Sequence, residues 1–594
     1  RAHPVHALLG GHVGEEGVYG AGHVVANNGV VIYMSNTTTG GAGTLTLNSG
    51  ATLDVRDFSN PDDAKTIVLN GGRIGNGYTH NGGGAQSTVS NPIRVDAAST
   101  IDGNNSGFGL RLNIAGALSG AGALSLASNP GVRLTGDTSG YTGTATINSG
   151  NGVVFNGTND QVFNGTLAGG NKLFKEGNRN LALTGTNSYS GGTEVLGGSL
   201  TVNALSGIGT GYLAVKNGAA FVYKGSGSET TTRVLWLDNG AAVLQVANAA
   251  GSLTWNPSGG TIGGTNGGLI TKTGAGALTI GGAFSGAASI AVDAGTLTLR
   301  GTNSHSGATS VNGGTLVLDY GSTNTTKLAD AAVLAMAGGT VSLVGGTHTE
   351  TVGSTTLAAG TASAITRPSG SSILALGGIT RNAGATLDVG EARIATTTAS
   401  LVNGLLPGVT VNGELATRDG SNYIVVYSNY TDVTRLSSGT KVIANDGTKN
   451  VRVIEGTGSA GDITLAEATT DAGTLTNTST GGVATVAIGD GNTLRMSGAG
   501  HLVADDASLG LTLAGGTLTA GGAPDTAGAI LVANHSSAAT TIASVVADNG
   551  AGAVSLAKLG AGTLTLAGAN TYSGATSVNA GTLQLGAANR LPDG

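Results

Sequence analysis

Residues Leu564–Gly586, LTLAGANTYSGATSVNAGTLQLG, alternate apolar with small or polar side chains and are divided by glycine turns. Alternation with a period of two residues over such short runs predicts β-strands. Two segments share this frame, LALTGTNSYSGGTEVLGGSLTV at Leu181–Val202 and LTLRGTNSHSGATSVNGGTLVL at Leu297–Leu318. In each copy the first leucine and its counterpart near the end are 19 residues apart, as for Leu181 and Leu200. A spacing of about 20 residues is typical of one coil of a β-solenoid, so each copy predicts about three short strands that stack on neighbouring coils.

The composition favours a narrow core. The 594 residues include 107 glycines and 9 prolines, with 39 % hydrophobic but only 4 % aromatic residues. Aromatic side chains contribute much of the volume of a wide core, whereas a chain this apolar is not expected to be disordered. The glycines follow no three-residue period, which excludes collagen. We therefore expect an all-β, elongated parallel β-helix (β-solenoid).

Charge and cysteine content exclude several classes of function. The formal net charge is −7 and the lysines and arginines form no run, so no nucleic-acid partner is expected. The chain has no cysteine, which excludes disulfides and thiol catalysis. No apolar run reaches the roughly 18 residues that a spanning helix needs, so no transmembrane segment is expected.

Two positions of the repeat frame raise the question of a binding site. One holds an aromatic or imidazole ring and the other an asparagine, and the residues concerned are Asn187, Tyr189, Asn303, His305, Asn570 and Tyr572. The ring could serve as a stacking platform for a ligand. Because this position accepts histidine and recurs at irregular intervals, we interpret the ring as a turn residue that covers the end of the apolar coil. The asparagines are expected where a turn requires tolerance of positive φ.

These elements resemble the passenger-associated transport repeat, or autotransporter-associated β-strand repeat, of bacterial autotransporters. The resemblance is closest in KLGAGTLTLAGANTYSGATSVNAGTLQLG, from Lys558. The segment NGLLPGVTVNGELATRDGSNYIVVY at Asn403–Tyr427 resembles one in which a small wing interrupts such solenoids. The resemblance implies a right-handed parallel β-helix that is secreted across the outer membrane and displayed on the cell surface. It also implies that the repeat serves secretion and the passenger fold, not catalysis.

Two departures from that family stand out in the sequence. We expect neither a protease-like head nor a C-terminal translocator barrel within these 594 residues. The chain starts at Arg1 and stops in a polar turn, which we interpret as a processed product or a fragment.

The repeats divide the chain into four predicted segments. Residues 1–30 are expected to form a non-repeat cap or contact segment, and residues 31–400 a β-helix. Residues 401–470 are expected to be a less regular inserted segment or wing. Residues 471–594 are expected to be β-helix again, with the strongest repeat at 558–586.

A search for catalytic chemistry finds little. The adjacent acidic pairs are Glu15-Glu16, Asp62-Asp63 and Asp505-Asp506. Neither Asp62-Asp63 nor Asp505-Asp506 has a second acidic cluster one coil away, as a glycosidase site would need. No G-x-S-x-G turn is present.

Four of the nine histidines lie near the start of the chain, beside Glu15 and Glu16, and they are His3, His6, His12 and His23. A metal site is one interpretation, but the spacing matches no zinc motif, so we favour a cap segment. No catalytic residue, metal site or cofactor is predicted.

Three functions remain open. The first is a non-enzymatic, extracellular or cell-surface adhesin or stalk that binds host-cell or matrix glycans or proteins through its side face and associates with itself. The second is a subunit of a filament or surface layer assembled head to tail, as a homo-oligomer through the solenoid ends. The third, and least favoured, is a polysaccharide-acting β-helix enzyme.

Overall fold

The fold is known from a computed structural model. It describes residues 12–13, 23–34, 43–55, 65–75, 87–103, 112–127, 131–148, 150–238, 240–257, 261–262, 268–390, 393–435, 441–456, 463–497, 500–505 and 508–592. The chain divides into two compact units, residues 1–307 (unit 1) and residues 308–594 (unit 2).

The strands of unit 1 form stacked parallel ladders, in which each strand is hydrogen-bonded to the next one along the sheet. The first sheet contains, in order, His12–Val13, Val31–Met34, Thr52–Val55, Arg73–Gly75, Ser99–Asp102, Leu124–Ala127, Thr144–Ile147 and Thr166–Gly169. The second contains Thr88–Val89, Leu112–Ile114, Val132–Leu134, Val153–Phe155, Leu173–Lys175, Thr193–Val195, Leu213–Lys216 and Leu235–Asp238. The third contains Val24–Ala26, Thr44–Asn48, Thr66–Asn70, Ile93–Val95, Leu118–Gly120 and Gly140–Tyr141.

Further ladders complete unit 1. One contains Gln161–Phe163, Asn180–Leu183, Ser199–Val202, Ala220–Tyr223, Ala242–Val246, Leu269–Thr273 and Ser289–Val292. Another contains Ser228–Thr231, Ser252–Trp255, Ala277–Ile280 and Thr296–Leu299. A short ladder contains Thr261–Ile262, Ala283–Gly286 and Ser304–His305. A single 3-10 turn lies at Leu205–Gly207 among the described residues.

The repeat spacing sets the register of these ladders. Leu181 pairs with Leu200 across adjacent coils of unit 1, and Leu564 pairs with Leu583 in unit 2. Because side chains alternate along a strand, the leucines of successive coils stack in the lumen, where Leu181 and Leu200 are fully buried. The prediction of an all-β parallel β-solenoid is therefore confirmed within each unit.

Unit 2 contains two runs of parallel strands, which we call the first arm (residues 308–427) and the second arm (residues 428–592). The first arm has three ladders. One contains Thr309–Val311, Val333–Met336, Ser354–Leu357 and Gly378–Arg381, and a short one contains Thr349–Thr351, Ile373–Ala375 and Ile394–Ala395. The longest contains Thr315–Asp319, Thr340–Val344, Ala362–Thr366, Thr386–Val389, Val409–Val411, Glu414–Arg418 and Ile424–Val426.

The second arm has two sheets. One contains, in order, Val545–Val546, Thr517–Ala520, Thr493–Met496, Thr469–Asn477, His501–Ala504, Gly528–Asn534, Val554–Leu559 and Thr576–Val578. Two more strands branch from this sheet, because Asp446–Glu455 pairs with Thr469–Asn477 and Thr431–Arg435 pairs with Asp446–Glu455. The other runs Lys441–Ile443, Ile463–Leu465, Ala484–Ala487, Leu511–Ala514, Thr540–Ile542, Thr563–Leu566 and Thr582–Leu585.

The first arm ends in an antiparallel meander. Val409–Val411, Glu414–Arg418 and Ile424–Val426 pair antiparallel, and the first turn has positive φ at Asn412 (49°) and Gly413 (83°). An Asn-Gly pair with positive φ at both residues is a favoured tight hairpin turn. The meander lies inside the predicted segment 401–470, and parallel pairing resumes from Thr431. The divisions at residues 30, 400 and 470 stay predictions.

The two arms of unit 2 pack against each other through a second apolar cluster, separate from the lumen. Its buried members are Leu405, Leu415, Tyr427, Val503, Leu531, Ala533, Ala557 and Leu559. Hydrogen bonds join the arms as well. Among them, the Gly408 N–H donates to Nε2 of His501 at 3.3 Å, and Nδ2 of Asn579 donates to the Gly384 carbonyl at 3.4 Å. Second-arm residues whose side chains point away from the lumen of that arm are therefore buried between the two arms.

Candidate functional site

The predicted ring positions are buried. Tyr189 and Tyr572 are 0 % and 1 % exposed, and each hydroxyl lies 2.6 Å from the hydroxyl of the threonine four residues later. Burial raises the pKa of both tyrosines. His305 is 3 % exposed, and burial lowers its pKa. None of these rings is open to a stacking ligand.

The repeat asparagines connect coils. Oδ1 of Asn187 accepts a bond from the Leu167 N–H at 2.7 Å, and its Nδ2 donates to the Gly207 carbonyl. Asn570 repeats this arrangement with the Val546 N–H at 2.8 Å and the Arg590 carbonyl at 2.7 Å.

The expectation of positive φ at Asn187, Asn303 and Asn570 is wrong. Among the described non-glycine residues, positive φ occurs at Asn217, Asn403, Asn412, Asn422, Asp525 and Asn589. The amides of Asn187 and Asn570 instead bond backbone groups of the coils on both sides, and Asn303 is buried like the other two. We propose that all six predicted residues are structural.

Sequence reasoning missed a recurring buried lysine. Lys175, Lys272 and Lys558 each donate from Nζ to three turn carbonyls, those one, two and 22 residues later, at 2.5 to 3.2 Å. Burial lowers the pKa of each to about 8. The sequence signal that could have revealed these lysines is a Lys-x-Gly motif. Its glycines, Gly177, Gly274 and Gly560, all have positive φ.

Most of the histidine-rich start of the chain lies outside the described residues. His3, His6, Glu15 and Glu16 lie outside the described residues, as do Asp62, Asp63 and Asp506. His23 is exposed, and its Nδ1 lies 2.8 Å from the hydroxyl of Thr44. In the part of the chain that the structure describes, no three His, Asp or Glu side chains come together as metal ligands.

A cluster of charged and aromatic side chains lies on the outer side of the second sheet of unit 1, on a surface that we call the aromatic face. It consists of Lys172, Phe174, Glu194, Tyr212, Lys216 and Trp236. Coil stacking brings these residues together, because Phe174 is in register with Glu194, Glu194 with Ala214, and Ala214 with Trp236. Phe174, Glu194, Lys216 and Trp236 occupy outward positions of strands whose alternate residues fill the lumen. Lys172 and Tyr212 directly precede two of these strands.

Glu194 is the centre of the polar network on this face. Its Oε1 accepts bonds from the Tyr212 hydroxyl at 2.6 Å and from Nζ of Lys172 at 3.0 Å, and Oε2 pairs with Nζ of Lys216 at 3.3 Å. Burial acts to raise the pKa of Glu194, but the bonds from Tyr212 and Lys172 and the two ammonium charges lower it below its ordinary value. The carboxylate is therefore ionised and fixed.

Two aromatic rings lie close to the ammonium group of Lys172 in this network. Nζ of Lys172 lies 5.5 Å from the ring centroid of Tyr212 and 5.9 Å from that of Phe174, distances typical of cation–π contacts. Trp236 is 46 % exposed, whereas Trp255 is 1 % exposed and donates from its indole to the Arg233 carbonyl at 2.7 Å. One of the two tryptophans of the chain thus packs in the core and the other presents an open indole surface.

Three segments match the passenger-associated-transport-repeat family, at residues 173–202, 290–318 and 556–585. The first and third include the buried lysine and both turn positions, and the second has Val292 in place of the lysine. The chain therefore carries repeats of this family, and the resemblance to autotransporter passengers is confirmed.

The chain is also similar to a curated protein, the adhesin BmaC autotransporter of Brucella suis biovar 1 (strain 1330). The two are 28 % identical over 275 residues, which cover 39 % of this chain and 8 % of that protein. The match thus spans a small part of the relative. No solved structure matches the chain. Within the described residues there is no helix with the length and apolar character to cross a membrane.

Proposed function

We propose that this chain is a surface-displayed, adhesin-like β-solenoid that binds carbohydrate through the aromatic face of unit 1. Support for surface display and adhesion comes from the passenger-associated transport repeats and from the similarity to an autotransporter adhesin. The observation that carries the binding role is the exposed indole of Trp236 on the same sheet as the fixed charged network of Glu194. This function requires no cofactor and no catalytic group.

The face has the properties of a binding surface. Tryptophan and tyrosine dominate the energetic centres of protein interfaces, and Trp236 loses little rotamer entropy when it becomes buried because it has only two side-chain torsions. Glu194 is held by three side chains before any ligand arrives. Groups already fixed in place lose less conformational freedom on binding.

The chemistry favours an acidic carbohydrate. A pyranose ring presents an apolar face of C–H groups that can lie flat on an indole, while its hydroxyls need polar partners at the edge. Lys172 and Lys216 carry two positive charges against the one negative charge of Glu194. This excess favours glycans with carboxylate or sulfate groups.

The test is binding to arrayed acidic and neutral glycans. Trp236→Ala is expected to weaken binding at least tenfold without changing the thermal midpoint, because the indole is half exposed. Val162→Ala, which shortens an exposed side chain on a different sheet of unit 1, is the matched control and should bind as the unmodified protein does. Unchanged binding by Trp236→Ala would contradict the role of this face, and exclusive capture of a protein ligand would contradict the ligand class.

The filament function stays a prediction. Sedimentation over a hundredfold range of concentration would reveal end-to-end assembly, which the aromatic face does not require. The enzyme function stays the least favoured alternative. Turnover on a panel of polysaccharides, abolished by substitution of one carboxylate pair, would support it over adhesion.

A further inference from the structure

A cleft of about 300 Å³ lies within unit 2, far along the sequence from the aromatic face. The first arm supplies one wall and the second arm the other. Its polar lining consists of Ser363, Thr386, Asp388, Thr410, Asn412, His535 and Asn579. Ala362, Ala533, Leu559 and Ala561 are among the small or apolar residues that complete it.

The wall formed by the first arm is held rigid by its own hydrogen bonds. Oδ1 of Asp388 accepts from the Thr410 hydroxyl at 2.6 Å and from the Gly413 N–H at 2.9 Å. Oδ2 of the same carboxylate has no partner among the described residues. The Asn412-Gly413 hairpin turn lines the cleft beside it, so a fixed carboxylate and an exposed amide lie next to each other.

The wall formed by the second arm contributes an imidazole and a second amide. The ring of His535 packs on the backbone of Gly413, where a methyl group would collide with it. Its Nε2 is buried and has no hydrogen-bond partner in the described part of the chain. Nδ2 of Asn579 makes its bond to the first arm, which leaves Oδ1 of this amide available to a ligand.

We propose that this cleft binds one uncharged monosaccharide unit, free or at the end of a glycan chain. Its volume is at the lower limit of ligand sites, which run from about 300 to 1,000 Å³, and suits a single hexose. The lining mixes acceptors, donors and one imidazole that can be either. Sugar hydroxyls both donate and accept, so a polyhydroxylated ligand can bond both the donors and the acceptors that face the cleft without a partner.

Other ligand classes fit less well. No lysine or arginine is found among the described residues that line the cleft, so a phosphate or sulfate would meet the Asp388 carboxylate without a counter-charge. One carboxylate and one imidazole are too few for a closed metal site. The site is additional to the aromatic face and does not depend on it.

The experiment is a calorimetric titration of the complete chain with D-glucose, D-galactose, D-mannose, L-fucose and N-acetyl-D-glucosamine. Asp388→Asn keeps the size of the side chain and its Oδ1 but replaces the unpartnered Oδ2 by an amide nitrogen. Loss of a hydrogen bond to a charged group should weaken binding by about tenfold or more. Asp490→Asn removes an equal charge from an exposed position of unit 2 that does not line the cleft, and should leave the affinity unchanged.

A second variant tests the cleft by filling it. Ala561 is exposed and lines the cleft, so Ala561→Leu should block binding while thermal unfolding stays as in the unmodified protein. Absence of binding by all five sugars would overturn the proposal. So would binding that Asp388→Asn and Ala561→Leu both leave intact. The Trp236→Ala variant should bind these monosaccharides as the unmodified protein does. Failure of the cleft proposal can therefore be distinguished from failure of the proposed binding function of the aromatic face.

Discussion

The first and third repeat copies use the same outward positions in different ways. In unit 1 the positions are occupied by Phe174 and Glu194, and in unit 2 by Ala557 and Ser577, each pair in register on adjacent strands. Phe174 is partly exposed on the aromatic face, whereas Ala557 is 2 % exposed and belongs to the cluster between the two arms. One repeat position therefore serves a solvent-facing surface in unit 1 and internal packing in unit 2.

Inside the coil the two copies are equivalent. Lys175 and Lys558 bond corresponding turn carbonyls, and Tyr189 and Tyr572 bond the corresponding threonines. The repeat thus specifies the lumen and turns, while residues that vary on the outer surface decide whether a coil presents a ligand site or packs against another coil.

The largest expected effect tests the equivalence of the interior. Asn187→Ala removes partners from a backbone N–H and a carbonyl of neighbouring coils, and Asn570→Ala does the same in unit 2. Each buried group left unpaired costs about 1–3 kcal/mol, so loss of the two partners should lower the free energy of unfolding by about 2–6 kcal/mol in denaturant titrations of each variant. A large loss in one copy and none in the other would break the equivalence.

Exchange of the outward residues should lower the free energy of unfolding by less than loss of the asparagines does. The loss should also differ between the two units. Ala557→Phe places the unit 1 residue in the packed cluster of unit 2, and overpacking of this kind costs about 1–3 kcal/mol. Phe174→Ala, on a partly exposed surface, should cost less than about 1 kcal/mol. Equal losses in thermal unfolding of the two variants would contradict the distinction between a packed and an open surface.

The packing of unit 2 should also weaken in acid. His501 is fully buried against the Gly408 N–H, and burial together with the charge of Arg381 lowers the pKa of His501 to about 3. Between about pH 6.5 and pH 3 the unfolded chain binds a proton that the folded chain does not, so the free energy of unfolding falls as the pH is lowered, by at most about 1.4 kcal/mol per pH unit.

His501→Gln keeps an acceptor for Gly408 but does not titrate. Denaturant titrations from pH 7 to pH 4 should therefore show a shallower loss of stability in this variant. Identical pH profiles for the variant and the unmodified protein would show that His501 does not control the acid response.

The regular part of the fold could be predicted because it depends on local patterns. Period-two alternation and the spacing of 19 residues fixed strands and register, as the pairing of Leu181 with Leu200 confirms. The backbone conformation of Asn187 was predicted incorrectly because the partners of its side chain, Leu167 and Gly207, lie one coil away on either side. Only stacking reveals that its amide is needed between coils and not for its own backbone conformation.

The candidate sites could not be predicted for the same reason. Phe174, Tyr212 and Trp236 are spread over three coils and have no pattern along the sequence. The two walls of the cleft are still more distant, since Asn579 meets Gly384 across 195 residues. Such contacts follow from how coils and arms pack, which the repeat frame does not encode.

The separation of scaffold from binding face is tested most directly by Trp236→Ala and Lys175→Met, with acidic-glycan affinity and thermal unfolding measured for both. Trp236 is exposed, whereas Lys175 is buried and bonds three turn carbonyls. We expect Trp236→Ala to lose affinity but keep its stability, and Lys175→Met to lose stability but, while folded, keep its affinity. Loss of both properties in both variants, or the reverse pattern, would contradict this separation.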